Sequence, residues 1–99
     1  MTKEYRGRHE IIEQMLRTIS NKNSEGVSRT SIMYKSFLSH GQLKEYLSYL
    51  LENGLPVEFP QQVRKRGKEK IMYKITPKGL RLMQIYDEMR NMVSLDEIS

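Results

Sequence analysis

Residues 38–55, LSHGQLKEYLSYLLENGL, constrain this chain more than any other stretch, because both ends carry helix-boundary chemistry and the interior carries an apolar stripe. Ser39 stands where an N-cap is needed and Gln42, three residues on, completes a capping box; Leu38 and Leu43 hold the two positions of a hydrophobic staple. The helix is therefore predicted to begin at His40. At the far end Asn53-Gly54 supplies a residue able to take positive φ, and Leu50 and Leu55 fall where a Schellman ending makes its apolar contact. Leu43, Tyr46, Leu47, Leu50 and Leu51 recur at spacings of three and four, while Gln42, Lys44, Glu45, Ser48, Tyr49 and Glu52 take the flanks and the opposite side. One face belongs to a core, and the other is free to contact something else.

The flanking segments supply partners for that helix. Ile11, Ile12, Met15, Leu16 and Ile19 repeat at helical spacing from about residue 8, until a polar run rich in turn formers at 20–26 stops the pattern. Val27 and Ser28 repeat the staple-and-cap device, with Ile32 as staple partner, and start a short second helix that runs to about Lys35. Only Ser36-Phe37-Leu38 separates it from the Ser39 cap. A two-turn helix, a tight connection and a longer capped helix make a helix-turn-helix, whose second helix commonly enters the DNA major groove.

After Gly54 the periodicity changes to two. Leu55, Val57 and Phe59 alternate with polar residues or proline, as do Ile71, Tyr73 and Ile75 with their neighbours, which predicts a two-stranded hairpin. Pro56 and Pro60 cannot donate ladder hydrogen bonds, so the first strand is expected to be short or at an edge. Between the strands, QQVRKRGKEK at 61–70 is expected to form a mobile, projecting loop. Thr76 then caps, and Pro77 opens, a last helix to about Val93. Its apolar residues cover more than one side, and Leu82, Tyr86, Met89 and Val93 make a 4-3-4 stripe of the kind that packs on another helix. Residues 1–7 are expected to fray, and the acidic tail 94–99 to be disordered.

Composition narrows the function classes. Ninety-nine residues at 37% apolar content support one core and no second domain. Cysteine is absent, which removes disulfides, thiolate metal sites and thiol nucleophiles and fits a reducing interior. No apolar run is long enough for a membrane span or a signal-peptide core, so a soluble, cytoplasmic protein is expected. The net charge of +5 is concentrated: residues 61–81 hold 8 basic and 1 acidic side chains, a local +7. A field of that sign points to a polyanion partner, against the plainer reading of a basic loop kept for solubility.

No catalytic constellation can be assembled. His9 and His40 lie on different helices, without HExxH spacing or any cysteine to build a zinc site. The glycines form neither GxGxxG nor a P-loop, and Gly67 among basic residues fits a loop tip. Glu10 with Glu13, and Asp87 with Glu88, fit solvated helix faces better than acid–base pairs. The seven methionines fit adaptable core and interface packing, and the tyrosines fit core-edge positions, with Tyr49 the foremost candidate for a contact role. The expectation is a protein that is not an enzyme and uses no metal and no cofactor.

The order helix, helix, helix, strand, basic loop, strand, long helix is that of a mainly α, α+β winged helix-turn-helix domain. The segments SIMYKSFLSHGQLKEYLSYLLENGL and YKITPKGLRLMQIY resemble the archaeal winged helix-turn-helix transcriptional regulators, over roughly residues 8–90. The resemblance implies a DNA-binding domain over 1–76 and a dimerisation helix over 77–93. It makes Ser39, His40, Gln42, Lys44, Glu45, Ser48 and Tyr49 the recognition segment, and Arg64, Lys65, Arg66, Lys68 and Lys70 the wing. It likewise implies a homodimer, with Leu82, Ile85, Tyr86, Met89, Met92 and Val93 at the interface. Gln42 either caps its helix or offers its amide to adenine, Lys44 donates to guanine or to phosphate, and Glu45 accepts from cytosine or is a repulsive bystander.

These readings converge on a regulator that binds double-stranded DNA as a homodimer, in the cytoplasm and associated with the nucleoid. Three rivals stand beside it. A weakly selective architectural DNA binder would use the same basic wing. A protein-interaction module would have no need of the concentrated positive charge. A single-strand or RNA binder would need aromatics among the basic residues, and none lies between Val63 and Lys70.

Overall fold

The computed structural model describes residues 7–20, 26–63 and 68–92. The elements follow as α1 (Arg8–Ser20), β1 (Val27–Ser28), α2 (Arg29–Lys35), α3 (His40–Glu52), β2 (Pro56–Val63), β3 (Lys68–Ile75) and α4 (Pro77–Met92). The expected helix-turn-helix and hairpin are present, and local chemistry accounts for their boundaries. Ser39 accepts from the Gln42 amide at 3.2 Å while the Gln42 side-chain oxygen accepts from the Ser39 amide at 3.1 Å, a complete capping box. Gly54 at φ 69 turns the chain out of α3; its amide donates to the Leu51 carbonyl at 3.0 Å and the Leu55 amide to the Leu50 carbonyl at 3.1 Å. Those two bonds are the Schellman pattern. Ser28 caps α2 by accepting from the Ser31 amide at 3.2 Å.

The core gathers one stripe from each helix. Ile11, Ile12, Met15, Leu16 and Ile19 of α1 are buried with Ile32 of α2, Leu43, Leu47 and Leu50 of α3, and Val27, Leu38, Leu55 and Tyr73. Among the described residues of α4, the apolar side chains packed against this cluster are Leu82 and Met83, both partly buried, so α4 rests on the domain more than it belongs to its core. Ser36 is fully buried beneath the helix-turn-helix bend, and its hydroxyl finds no hydrogen-bond partner among the described residues.

Two expectations need correction. The sheet has three strands in the order β1-β3-β2, because Val27 and Ser28, besides starting α2, pair antiparallel with Tyr73 and Met72. The hairpin is also longer than expected: pairing runs from Pro56 opposite Ile75 to Val63 opposite Lys68, so most of the supposed 61–70 loop is strand. There the ribbon extends past the core, and backbone pairing continues without an apolar face to signal it. The first strand lies at an edge, one of the two arrangements its prolines allowed, and runs for eight residues. Its prolines share one parity along β2, and residues two apart direct their amides the same way; the continuous ladder therefore places both missing donors on the outer edge, where they cost no pairing.

Thr76 ties the parts together. Its hydroxyl lies 2.7 Å from the carbonyls of both Gly54 and Leu55 and accepts from the Gly79 amide at 3.0 Å, joining the end of α3 to the start of α4. Gly79 packs against the Leu55 carbonyl and the Ile75 side chain so closely that a Cβ would lie 2.7 Å from Ile75 Cδ1. Further along α4 the contact with α1 becomes ionic. The Glu13 carboxylate, whose side chain is 14% exposed, accepts from Arg17 at 2.6 Å and from Arg90 at 2.5 Å, and Arg17 also donates to Asp87 at 2.7 Å. Glu13 is therefore not the solvated carboxylate its spacing implied, and Asp87 joins the same network.

Candidate nucleic-acid interface

The outward face of α3 is set by the core stripe. With Leu43, Leu47 and Leu50 buried, helical geometry leaves Gly41, Lys44, Glu45, Ser48 and Glu52 exposed on the opposite side. His40 begins the helix and is also exposed. Gln42 resolves one open alternative, because its side-chain oxygen is engaged in the capping box. The carboxamide can present only its NH₂ side outward unless the cap is broken.

Tyr49 lies on the flank rather than at the centre of that face. The Arg8 guanidinium sits 5.8 Å from the Tyr46 ring centroid and 5.9 Å from that of Tyr49, within cation–π range. The next residue, His9, meets Tyr86 of α4 edge-on at 6.4 Å. Burial pushes the Tyr86 hydroxyl pKa up, and the Glu13 carboxylate and Tyr49 add to the shift. The first turn of α1 thus touches both α3 and α4, a junction that sequence reasoning missed because its members are far apart in the chain.

The β2–β3 ribbon carries the remaining basic candidates. Lys70 is exposed, and the Lys74 ammonium lies 5.2 Å from the Phe59 ring centroid. Lys68 begins β3 instead of lying in a loop. Arg64, Lys65 and Arg66 lie outside the described residues, as do Gly67 and Val93. Tyr73, central in the sheet, has its pKa raised by burial, then by the neighbouring Glu58 charge, against an opposing effect from Arg29. Tyr73 thereby stands between β2 and the first turn of α2, at the root of the ribbon.

On α4 the predicted interface residues divide. Leu82 packs against this chain's own core and Tyr86 is half-buried, whereas Ile85, Met89 and Met92 are 39%, 55% and 81% exposed. These three sit at i, i+4 and i+7 and so make one stripe. Among the described residues no group of three or more His, Cys, Asp or Glu side chains could hold a metal ion, and no helix is long and apolar enough to cross a membrane. Tyr34, expected from the sequence at a core edge, is instead 68% exposed in the helix-turn-helix corner, beside Phe37, which is 79% exposed and which sequence reasoning passed over.

The chain superposes on a PadR-like transcriptional regulator from Bacillus cereus with a TM-score of 0.72 at 22% identity, covering 88% of this chain and 86% of that one. Sso10a-2, a DNA-binding protein from Sulfolobus solfataricus, matches with a TM-score of 0.63 at 26% identity over 93% and 90% of the two chains. The PcaV transcriptional regulator from Streptomyces coelicolor, solved with its natural ligand, matches with a TM-score of 0.61 at 17% identity over 98% and 70%. No curated protein sequence matches the chain. A winged helix-turn-helix family model spans residues 5–94, and with α2, α3 and the β2–β3 ribbon in the order that architecture requires, the chain belongs to the winged helix-turn-helix family.

Proposed function

We propose that this protein is a transcriptional regulator that binds double-stranded DNA as a homodimer, with α3 in the major groove and the basic wing on the phosphate backbone. The observation that carries the reading is a doubly capped α3 whose outward face is exposed, on the same domain as the basic ribbon. Such a face is the part of a winged helix able to reach base edges. Lys44, Glu45 and Ser48 are the base-facing candidates, with Ser39 and His40 at the entry and Tyr49 rising towards the backbone. Arg64, Lys65, Arg66, Lys68 and Lys70 contact phosphates. Ile85, Met89 and Met92, continued by Val93, join two copies, with Leu82 and Tyr86 at the edge of that contact. The activity is binding, not catalysis, and it calls for no metal or cofactor. The protein works where the chromosome lies, in the cytoplasm and on the nucleoid. The resemblance of Sso10a-2, a DNA-binding protein, supports the choice of partner.

One observation favours a second reading. The outward face of α3 carries Lys44 against Glu45 and Glu52, so the positive charge sits on the wing rather than on the helix. Binding dominated by the wing would be weakly selective, as in an architectural protein. Selection from a random duplex library with the parent and with Lys44→Ala, Glu45→Ala and Ser48→Ala separates the two. A regulator changes its preferred base pair, by ~1 to 3 kcal/mol, in at least one variant. Arg64→Ala with Arg66→Ala should instead weaken all duplexes alike and lower the salt slope by about 1 per lost contact. Identical selected pools from all three α3 variants favour the architectural reading.

A further inference from the structure

Arg8 carries a charge that the fold holds against α3 and does not neutralise. Its guanidinium lies 5.8 Å from the Tyr46 ring centroid and 5.9 Å from that of Tyr49, so the first residue of α1 is held beside one flank of α3. A cation–π contact engages the charge without consuming the N–H groups, which need acceptors. The ion pairs among the described residues join Arg17 and Arg90 to Glu13 and Asp87, and Arg8 takes part in none. Glu10, two residues on in α1, accepts instead from the Gly7 amide at 2.9 Å. Arg8 is exposed, as is Tyr49. An arginine with five donors, a held position and no carboxylate partner among the described residues is suited to an anion from outside the domain.

We infer that Arg8, held by Tyr46 and Tyr49, is a phosphate contact for duplex DNA at the flank of α3. The inference rests on the DNA-binding function proposed above and adds to it a basic residue outside the wing. The partner follows from dimensions. A helix about 10 to 12 Å across fills a major groove about 12 Å wide, so when the outward face of α3 meets base edges its flanks meet the sugar-phosphate walls. Tyr49 lies on one of those flanks, and Arg8 stands against it. The outward face itself sets Lys44 against Glu45 and Glu52 and supplies little net attraction. A cation delivered from α1 gives α3 the electrostatic hold that its own residues lack. A guanidinium donates two parallel N–H bonds to one phosphate, and contact with aromatic rings positions that fork without occupying it.

The test uses the full chain and a fluorescein-labelled duplex drawn from the parent's selected pool, with affinity measured across a salt series alongside thermal melts. Arg8→Gln is expected to bind about ten-fold more weakly at low salt, the loss of one charge-assisted contact, and to lower the logarithmic salt slope by about 1. Its own selected pool should match the parent's, because a phosphate contact carries no base preference. Arg8→Lys retains the charge against the rings, and with it the contact between α1 and α3, but loses the bidentate fork. It should keep the parent's slope with an affinity between the other two. Arg17→Gln removes the same charge from the same helix, at a residue already paired with Glu13 and Asp87, and should leave the slope unchanged. An Arg8→Gln protein with parental affinity and slope overturns the inference, as does an Arg8→Lys protein whose slope falls below the parent's. An Arg17→Gln protein that loses as much slope as Arg8→Gln also overturns it, since net charge rather than a contact would then be responsible. A shifted pool for Arg8→Gln would make Arg8 a base reader and remove the phosphate assignment. A parent that binds no duplex at all removes the proposed function and this inference together, whereas tight parental binding with unaffected Arg8 variants removes the inference alone.

Discussion

Replacing Gly79 with alanine should destabilise this protein, although the change adds a strong helix former to a helix. The cause is a steric conflict at the joint between α4 and the sheet. A Cβ at position 79 would meet Ile75 Cδ1 at 2.7 Å, Ile75 Cγ1 at 3.0 Å and the Leu55 carbonyl oxygen more closely still. The carbonyl cannot move freely, because it accepts from the Thr76 amide at 3.0 Å and from the Thr76 hydroxyl at 2.7 Å. Relief therefore requires α4 to lift off, breaking the Thr76 cap, or Ile75 to leave its packing against the core. Overpacking costs ~1 to 3 kcal/mol and loss of a cap about 1, against a helix-propensity gain of up to ~1. The net is a loss of about 2 kcal/mol, or roughly 8 to 16 °C in melting temperature for a domain of this size. Gly41→Ala is the control, since a Cβ there meets nothing within 4 Å. It should leave the melting point unchanged or raise it slightly, by up to ~0.5 to 1 kcal/mol of propensity. Thermal and urea unfolding at one protein concentration would measure both, the fixed concentration removing any contribution from association. A Gly79→Ala protein that melts at or above the parent would refute the steric argument.

The remaining predictions concern α4 and its neighbours. At Glu13 burial raises the carboxyl pKa, but hydrogen bonds from Arg90 and Arg17 and their charges outweigh it, leaving the group below the usual glutamate range. A depressed pKa means stability that is complete above the unfolded value and lost as pH falls through the folded one. Glu13→Gln should therefore cost about 1 to 2 kcal/mol at neutral pH, between the values for exposed and buried pairs. The gap from the parent should close below about pH 4, and a gap that persists in acid would disprove the ionic origin. Ile85→Glu combined with Met89→Glu should turn a dimer into a monomer in sedimentation while leaving the domain folded, because both side chains are exposed within the single chain. A parent that is monomeric at tens of micromolar, a concentration on the order of which a micromolar dimer persists, would contradict the proposed assembly.

Helix boundaries were legible in this sequence wherever one cap or turn decides them. Ser39 with Gln42, Asn53 with Gly54, and Thr76 with Pro77 each bring their own hydrogen-bonding groups within a few residues, and α3 and α4 begin where those signals lie. The core stripes of α1 and α3 were legible for a related reason, since a single apolar side on a helix has one place to go. Several members of the candidate interface were not. The two-residue β1 exists only because β3 arrives beside it, and two residues are too few to display a period. The outer ribbon pairs through backbone groups while its side chains carry no alternation, so a basic loop was expected where much of the segment is strand. An apolar helix such as α4 does not announce which side meets its own domain; packing on the core took Leu82 and left Ile85, Met89 and Met92 outside. Glu13 became part of an ionic clasp when α4 brought Arg90 to it across 77 residues. Caps, turns and periodicity act between near neighbours and can be read in order along the chain. Strand pairing, the choice between two apolar faces and the company of a charge depend on which distant segments fold together, and tertiary structure alone decides that.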